Sequence, residues 1–450
     1  MSTQVAVNSI PNPQFPIPNL SYSTNVHPAE SLDELGAILR AHVASIMRAA
    51  FGARRAAVNL RLGMRQVDEL LAHGPLPSTS QVPDAVLAAR PSPVCEKFLA
   101  LLDELNLDVV SINAFPIRDF HAPRVKEQVY SPPWTDGGRA LYSLKIAKAL
   151  THFMARRGID RKAAGISVPS GVFKGLYGDS EEIRTQCAHF LTECLRDLHR
   201  LERLTGRTVK LGLEPEPLTT GETVPEFIEY FKLIGGEARQ KFPAQLHLTH
   251  TQSDELVHRF LTVNLDLCHQ AIEFEDAVDD LRKLKSAGIE VSGLHLSAAL
   301  KLSEPAKNPE ALQLLLSLDE PRYLHQVVGR KNDGGLARYP DLPELASPRK
   351  RPAFVASDFA ELRCHFHVPL FTGLSGALGS TRESVVPALR YALKENLTGN
   401  FVVETYTWNV LAQLAAQGNA AVREVLGENG KIDVHAGIAK ELRWVQAQME

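Results

Sequence analysis

Glu214, Asp266, His295 and Glu404 each stand at the end of a short apolar run, in "VKLGLEPEP", "LTVNLDLCH", "VSGLHLS" and "NFVVETYTW". In an extended segment alternate residues share a face. Leu211 and Leu213 therefore leave Gly212, Glu214 and Glu216 on the opposite side. By the same rule Leu265 and Leu267 oppose Asp266, Leu294 and Leu296 oppose His295, and Phe401 and Val403 oppose Glu404. Carboxylates that converge raise one another's pKa unless a cation sits between them. A divalent metal with three oxygens and one imidazole removes that conflict. Such a set favours Mn²⁺, Co²⁺, Fe²⁺ or Mg²⁺, and Zn²⁺ also accepts these ligands. Any one of the residues could be an ion-paired group, but the ordered series points to a shared metal. The chemistry expected is a polarised carbonyl and a metal-stabilised enediolate, with Glu214 and Glu404 moving a proton off and onto carbon.

Two further stretches carry reactive side chains. In "RCHFHVPLF" His365 and His367 lie two apart, so an extended segment points both the same way, with Arg363 on that face too. The pair could ligate a second metal, bind an anionic group with Arg363, or act as acid and base. In "SINAFPIRDFHAPRVKEQVYSPPW" Asn113 ends an apolar run and is followed by Arg118, His121, Lys126 and Trp134 among other aromatics. Aromatics beside cations suit a small ring or an acidic metabolite. His27, after the first apolar run, and Glu216 complete the residues expected at the substrate.

These side chains need a frame that brings strand ends together. Apolar, β-branched runs recur at residues 19–27, 56–64, 107–115, 164–171, 208–217, 261–269, 290–297 and 400–408. Helical periodicity fills the intervals. "SLDELGAILRAHVASIMRAA" begins with Ser31 as cap and Glu34 at the capping-box position, and Ser180 caps "SEEIRTQCAHFLTECLRDLHRLERL". Strands alternating with helices imply right-handed βαβ units, and eight of them imply a closed (β/α)8 TIM barrel, an α/β fold. An open doubly wound sheet is the alternative, but no Gly-rich phosphate loop follows the first strand. Residues 298–361 are rich in Pro, Gly and charge and are expected to be a loop-rich insertion after strand 7, over the barrel mouth. Length alone allows more than one unit, yet the pattern fits a single domain over 1–450.

Composition excludes several classes. A formal net charge of −3 gives no basic field for nucleic acid. The five cysteines form no CxxC pair, which argues against a disulfide framework or a thiolate zinc knuckle. "MSTQVAVNSIPNPQFPIPNL" has no basic segment leading into an apolar one, and no run of 18 apolar residues follows anywhere. The expectation is a cytoplasmic protein with no membrane span and no nucleic-acid partner.

"LEPEP", "LDLCH", "LHLS" and "VVET" resemble the metal-site strands of the xylose-isomerase-like TIM-barrel superfamily, which includes sugar phosphate isomerases and epimerases. The resemblance implies a divalent metal held by Glu214, Asp266, His295 and Glu404. It also implies that His269, in the Asp-x-x-His position, faces substrate or a second metal. Ketose epimerases follow the metal His with Gly-Glu and an Arg, where this chain reads "HLSAALK". The extra His ligands of the abasic-site endonucleases are absent from "NLRLG" and "SINAFP". A closer resemblance, to the EboE-type metabolite traffic proteins of bacterial ebo gene clusters, covers "YSTNVHPAES", the 111–143 stretch and "RCHFHVPLF". It implies a small-molecule metabolite as ligand and proteins of the same cluster as partners. The expected activity is metal-dependent isomerase or epimerase chemistry; the alternatives are a metal-dependent hydrolase or lyase, or a non-catalytic metabolite carrier.

Overall fold

The computed structural model describes residues 19–72, 82–155, 163–347, 353–374, 377–416 and 431–450. The N-terminal stretch read above for a targeting signal falls almost wholly outside these residues, as does 348–352 of the insertion. Seven strands run in chain order: β1 Leu20–Tyr22, β2 Ala56–Arg61, β3 Leu107–Asn113, β4 Ala163–Pro169, β5 Thr208–Glu214, β6 Leu261–Asp266 and β7 Val291–Leu296. Five strands follow, β8 Leu300–Ser303, β9 Val327–Lys331, β10 Leu336–Tyr339, β11 Phe359–Cys364 and β12 Leu378–Ser380, before β13 Phe401–Val403.

Strands β1 to β7 and β13 form one parallel sheet in the order β1-β13-β7-β6-β5-β4-β3-β2. The two ends of that order meet. Ser23 and Asn59 form a parallel bridge, and Arg61 N donates to Thr24 Oγ1 at 2.9 Å. The sheet is therefore a closed eight-stranded barrel, and the open-sheet alternative is ruled out. All eight apolar runs contain a barrel strand, and the expected caps form. Ser31 and Glu34 make a reciprocal capping box at Leu32–Ile38, and Ser180 accepts from Ile183 N at the head of Glu181–Thr205.

Parallel strands covered by helices are buried on both faces, which is why these segments read as nearly continuous apolar runs. Leu211, Leu213, Val263, Leu265, Leu294 and Leu296 are all fully buried. The interior is tight enough that two glycines are required. A Cβ on Gly212 would lie 2.7 Å from Ser292 Oγ, and one on Gly293 would lie 2.3 Å from Asn264 Oδ1.

The stretch between β7 and β13 is more ordered than its composition indicates. It forms an antiparallel sheet, β10-β9-β11-β8-β12. Much of "VVGRKNDGGLARY", which reads as loop, is the β9–β10 hairpin, turned at Gly334 with φ +89°. This sheet is tied to the barrel loops. Arg338 of β10 pairs with Glu273 and lies 3.4 Å from Glu222, while Arg322 O accepts from Val125 N and Lys126 N. Among the described residues no helix is long and apolar enough to cross a membrane.

Candidate metal centre

Glu214 and Asp266 are the last residues of β5 and β6, His295 is the penultimate residue of β7, and Glu404 follows β13. Strand register sets them side by side, because His295 pairs with Asp266 on one flank and with Val402 on the other. Each is at most 4% exposed. One ligand atom from each of the four lies within 4.8 Å of all the others. His295 Nδ1 is the hub, 2.6 Å from Glu404 Oε2, 3.5 Å from Asp266 Oδ2 and 3.6 Å from Glu214 Oε1.

Neutral donors hold the far side of each carboxylate. Asp266 Oδ1 caps the helix Leu267–Ile272, accepting from Cys268 N at 2.8 Å and His269 N at 3.1 Å, and from Ser297 Oγ at 2.8 Å. Glu214 Oε2 accepts from Asn264 Nδ2 at 3.0 Å. Glu404 Oε1 accepts from Asn25 Nδ2 at 2.6 Å and Asn113 Nδ2 at 3.2 Å. What remains points inward. Asp266 Oδ2 and His295 Nδ1 are buried without a hydrogen bond, the Nδ1–Glu404 approach being badly angled for one. Buried polar atoms left unpaired are costly. Two orphaned ligand atoms, three carboxylates and an imidazole fit a divalent cation.

Without a cation the protons redistribute. Burial, together with the charges of Glu404, Asp266 and Glu216, pushes Glu214 well above the usual carboxylate range despite His295. Burial opposes charge on His295, but Glu404 and Glu214 outweigh it and raise its pKa well above the ordinary value. Burial would also raise Asp266; the neighbouring His269, His367 and His295 hold it well below instead. Without a cation the balance thus moves protons toward Glu214 and His295 and away from Asp266 and Glu404.

A cavity of about 560 Å³ opens over this floor, lined in part by Asn25, Asn113, Glu216, His269, His365 and His367. Phe120, Tyr323 and Tyr406 pack together on one side, and Phe115 stacks edge-on against Tyr130 on another. Lys126 also lines it, but its Nζ is neutralised by Asp341 at 2.7 Å and Asp319 at 3.3 Å. Glu216 Oε1 accepts from Gln326 Nε2 at 3.1 Å, and burial pushes its carboxyl up to about 8. His365 and His367 do face each other, with Nε2 atoms 3.0 Å apart, and His269 Nε2 is 3.2 Å from His365 Nε2.

Five residues expected at the substrate lie elsewhere. The chain turns at Thr24–Val26, which breaks the alternation after β1. It sends Asn25 into the cavity and His27 away, onto Tyr22 and His42. Arg118 is exposed, and its backbone carbonyl, not its guanidinium, is engaged, by Arg61. His121 is half-buried against Phe120, outside the lining. Trp134 is fully buried and donates to Pro169 O at 2.7 Å, so it is a core residue. Arg363 lies 4.0 Å over the Phe274 ring and donates to Ala271 O. It parts from His365 because a tight turn, Phe366 N to Cys364 O, ends the alternation there. Residues unforeseen in the sequence include Asn25, Asn264, Ser297, Gln326 and Tyr406. Tyr406 had a signal, since it stands two residues past Glu404.

No family model matches the chain, and no curated protein matches it. Solved structures similar to it include one described as the probable 3-DHS dehydratase AsbF of Bacillus anthracis, 12% identical over 95% of this chain and 98% of that one, with a TM-score of 0.45. A D-psicose 3-epimerase crystallised with D-fructose is 10% identical over 95% and 97% of the two chains, at a TM-score of 0.40. The 3-keto-D-glucoside 4-epimerase YcjR of E. coli is 13% identical over 62% and 78%, at 0.32. The barrel assignment stands on the strand pairing of this chain and not on these likenesses.

Proposed function

We propose that this chain is a divalent-metal-dependent enzyme acting on a small metabolite by isomerase or epimerase-type proton transfer. We place it with the EboE-type metabolite traffic proteins of the xylose-isomerase-like superfamily, working in the cytoplasm beside proteins of its gene cluster, without nucleic acid. One observation carries the reading: Asp266 Oδ2 and His295 Nδ1 are orphaned beside Glu214 and Glu404, which line an open cavity. A bound divalent cation would polarise a substrate carbonyl and stabilise negative charge on its oxygens.

The residues supply the rest. Asn25 and Asn113 fix Glu404, and Asn264 fixes Glu214, so each keeps a carboxylate oxygen turned inward. Glu404 is placed to take a proton from the carbon beside the carbonyl and Glu214 to return one. The surrounding aromatics give the cavity an apolar wall. Lys126 is already neutralised, so no lining cation among the described residues is free for a phosphate group.

The test is deuterium exchange from D₂O into a panel of keto sugars, cyclic ketones and sugar phosphates with Mn²⁺-loaded protein. Exchange lost in Glu404→Gln supports the reading; full metal content with full exchange in that variant defeats the acid–base assignment. Metal bound with no exchange or turnover anywhere would make the chain a metabolite carrier. A hydrolase or lyase reading rests on His365 and His367 beside the centre, and solvent-derived oxygen in the product would favour it.

A further inference from the structure

The cavity wall has two origins. Phe115 and Val129 come from the loop after β3, while Tyr323 and Leu324 come from the stretch inserted between β7 and β13. Tyr323 packs on Phe120 with ring centroids 4.8 Å apart, and Tyr406 meets both rings edge-on. Val129 and Leu324 pack against the buried cluster of Phe115, Tyr130 and Phe173. Such a wall gains free energy by covering apolar surface. Ligand hydroxyls pressed against it would lose water and find no hydrogen bond in return.

The inserted stretch also cancels the charge of Lys126, which among the described residues is the one lysine or arginine of the lining. The backbone of Lys126 is held at φ +41°, with its N and that of Val125 both donating to Arg322 O. Its Nζ lies 2.7 Å from Asp341 Oδ2 and 3.3 Å from Asp319 Oδ1. Asp319 follows the helix Pro309–Ser317, and Asp341 precedes the 3-10 helix Leu342–Ala346. Asp341 Oδ1 accepts from Leu342 N and His325 N, each at 3.0 Å, so its other oxygen stays turned to Lys126. Two acids on one ammonium leave this wall negative, and three carboxylates outweigh a divalent cation at the floor. An anionic ligand would meet like charge on both sides. Among the described residues, the buried lining atoms without a hydrogen bond are oxygens, Asn25 Oδ1 and Glu216 Oε2. They suit a hydroxyl or N–H of the ligand and not a phosphate or carboxylate oxygen.

We infer that the inserted stretch makes this cavity selective for an uncharged substrate with an apolar body beyond its metal-binding end, Asp319 and Asp341 being the specificity-determining residues that cancel Lys126. The inference rests on the metal-dependent reading above and adds the class of substrate to it.

Three probes share an α-hydroxyketone and differ beyond it. 2-Hydroxyacetophenone is neutral and apolar, dihydroxyacetone is neutral and polar, and dihydroxyacetone phosphate is anionic. Calorimetry on the full chain in the presence of Mn²⁺ reads their affinities. Burial of the phenyl group should favour 2-hydroxyacetophenone over dihydroxyacetone roughly 10–100-fold, and the phosphate should bind no better than dihydroxyacetone. In Asp319→Asn with Asp341→Asn, the released Lys126 should raise affinity for the phosphate relative to 2-hydroxyacetophenone roughly 10-fold or more. Structural damage alone would weaken all three probes and leave that ratio in place. Wild-type protein that binds the phosphate as tightly as 2-hydroxyacetophenone, or binds none of the three, overturns the inference. An unmoved ratio in the double variant overturns the part given to the two acids. Affinities in the expected order with no Mn²⁺ bound, or with no deuterium exchange into any probe, would instead sink the metal-dependent enzymatic reading and leave the specificity standing.

Discussion

Asp266 is assigned two jobs on its two oxygens, and two substitutions separate them. Oδ1 receives Cys268 N, His269 N and Ser297 Oγ, while Oδ2 has no hydrogen bond and faces the proposed cation. Asp266→Asn keeps an oxygen for the cap and puts an N–H₂ where the cation should sit. Asp266→Ala removes both. Loss of the cap costs about 1 kcal/mol. Stranding the buried Ser297 hydroxyl adds about 1–3 kcal/mol. At roughly 2.1 cal/mol/K per residue, unfolding this 450-residue chain carries about 0.9 kcal/mol/K, so each kcal/mol moves Tm by about 1 °C. In chelator, Asp266→Ala should therefore melt about 2–4 °C below wild type and Asp266→Asn within about 1 °C of it. With Mn²⁺ at 100 times its Kd, wild type gains about 2.7 kcal/mol, or about 3 °C. Loss of groups that merely support ligands already weakens metal binding roughly 10–100-fold, and loss of a ligand should exceed that. At the same Mn²⁺ concentration Asp266→Asn then gains under about 0.5 °C. Scanning fluorimetry with and without Mn²⁺ reads all of these shifts. A full Mn²⁺ shift in Asp266→Asn would show that Oδ2 is no ligand, and equal melting of both variants in chelator would show that the cap contributes nothing.

Metal binding should release protons, because the surroundings of Glu214 and His295 both favour their protonated forms in the metal-free protein. Both pKa values are raised, so protons must be displaced below them and apparent affinity climbs with pH. Calorimetry in buffers of different ionisation enthalpy counts the protons, and none released would contradict the charge assignment. Gly293→Ala should drive Asn264 off Glu214 and His295, since its Cβ would lie 2.3 Å from Asn264 Oδ1. It should cost about 1–3 kcal/mol and weaken Mn²⁺ binding roughly 10–100-fold; unchanged Mn²⁺ affinity would refute the role of Asn264. Glu441 is fully buried, accepts from Leu370 N and Thr405 Oγ1, and burial pushes its carboxyl from 4.5 up to about 8. A raised acid pKa favours the folded state at low pH, and that advantage drains away as pH climbs from 4.5 through 8. Glu441→Gln should escape this loss, gaining about 3 kcal/mol over wild type at pH 7. Denaturant unfolding between pH 5 and 8 measures the gap, which must widen with pH for the argument to hold.

The barrel was legible because its signal is local and repeated. Each strand lies in an apolar run, and each cap, as at Ser31 with Glu34, is written within four residues. The four proposed ligands were legible for the same reason, since a strand's alternation fixes which face its last residue takes. The inserted sheet was not. Its strands are three to six residues long, and β8 pairs with β11, whose residues lie some sixty positions later in the sequence. Stretches such as "GRKNDGG" advertise a turn more loudly than the hairpin around it. The misplaced substrate residues fail at the point where alternation stops. His27 lies past the turn at Thr24–Val26, and Arg363 lies before the tight turn at His365.

The orientations of His269, His365 and His367, each with its Nδ1 against an acceptor, leave less trace in the sequence. Two of the three acceptors that set them, Pro215 O and Glu404 O, are backbone carbonyls and leave no mark on residue type. Those carbonyls nonetheless belong to the carboxylate centre, because Pro215 follows Glu214 and Glu404 supplies its own peptide oxygen. The strand ends that aim two carboxylates at one position thereby also set carbonyls against the Nδ1 atoms of His269 and His367 next to it. Asp266 completes the coupling by capping the turn that carries His269. A shift of β5, β6 or the segment after β13 would therefore disturb the carboxylates and these imidazoles together.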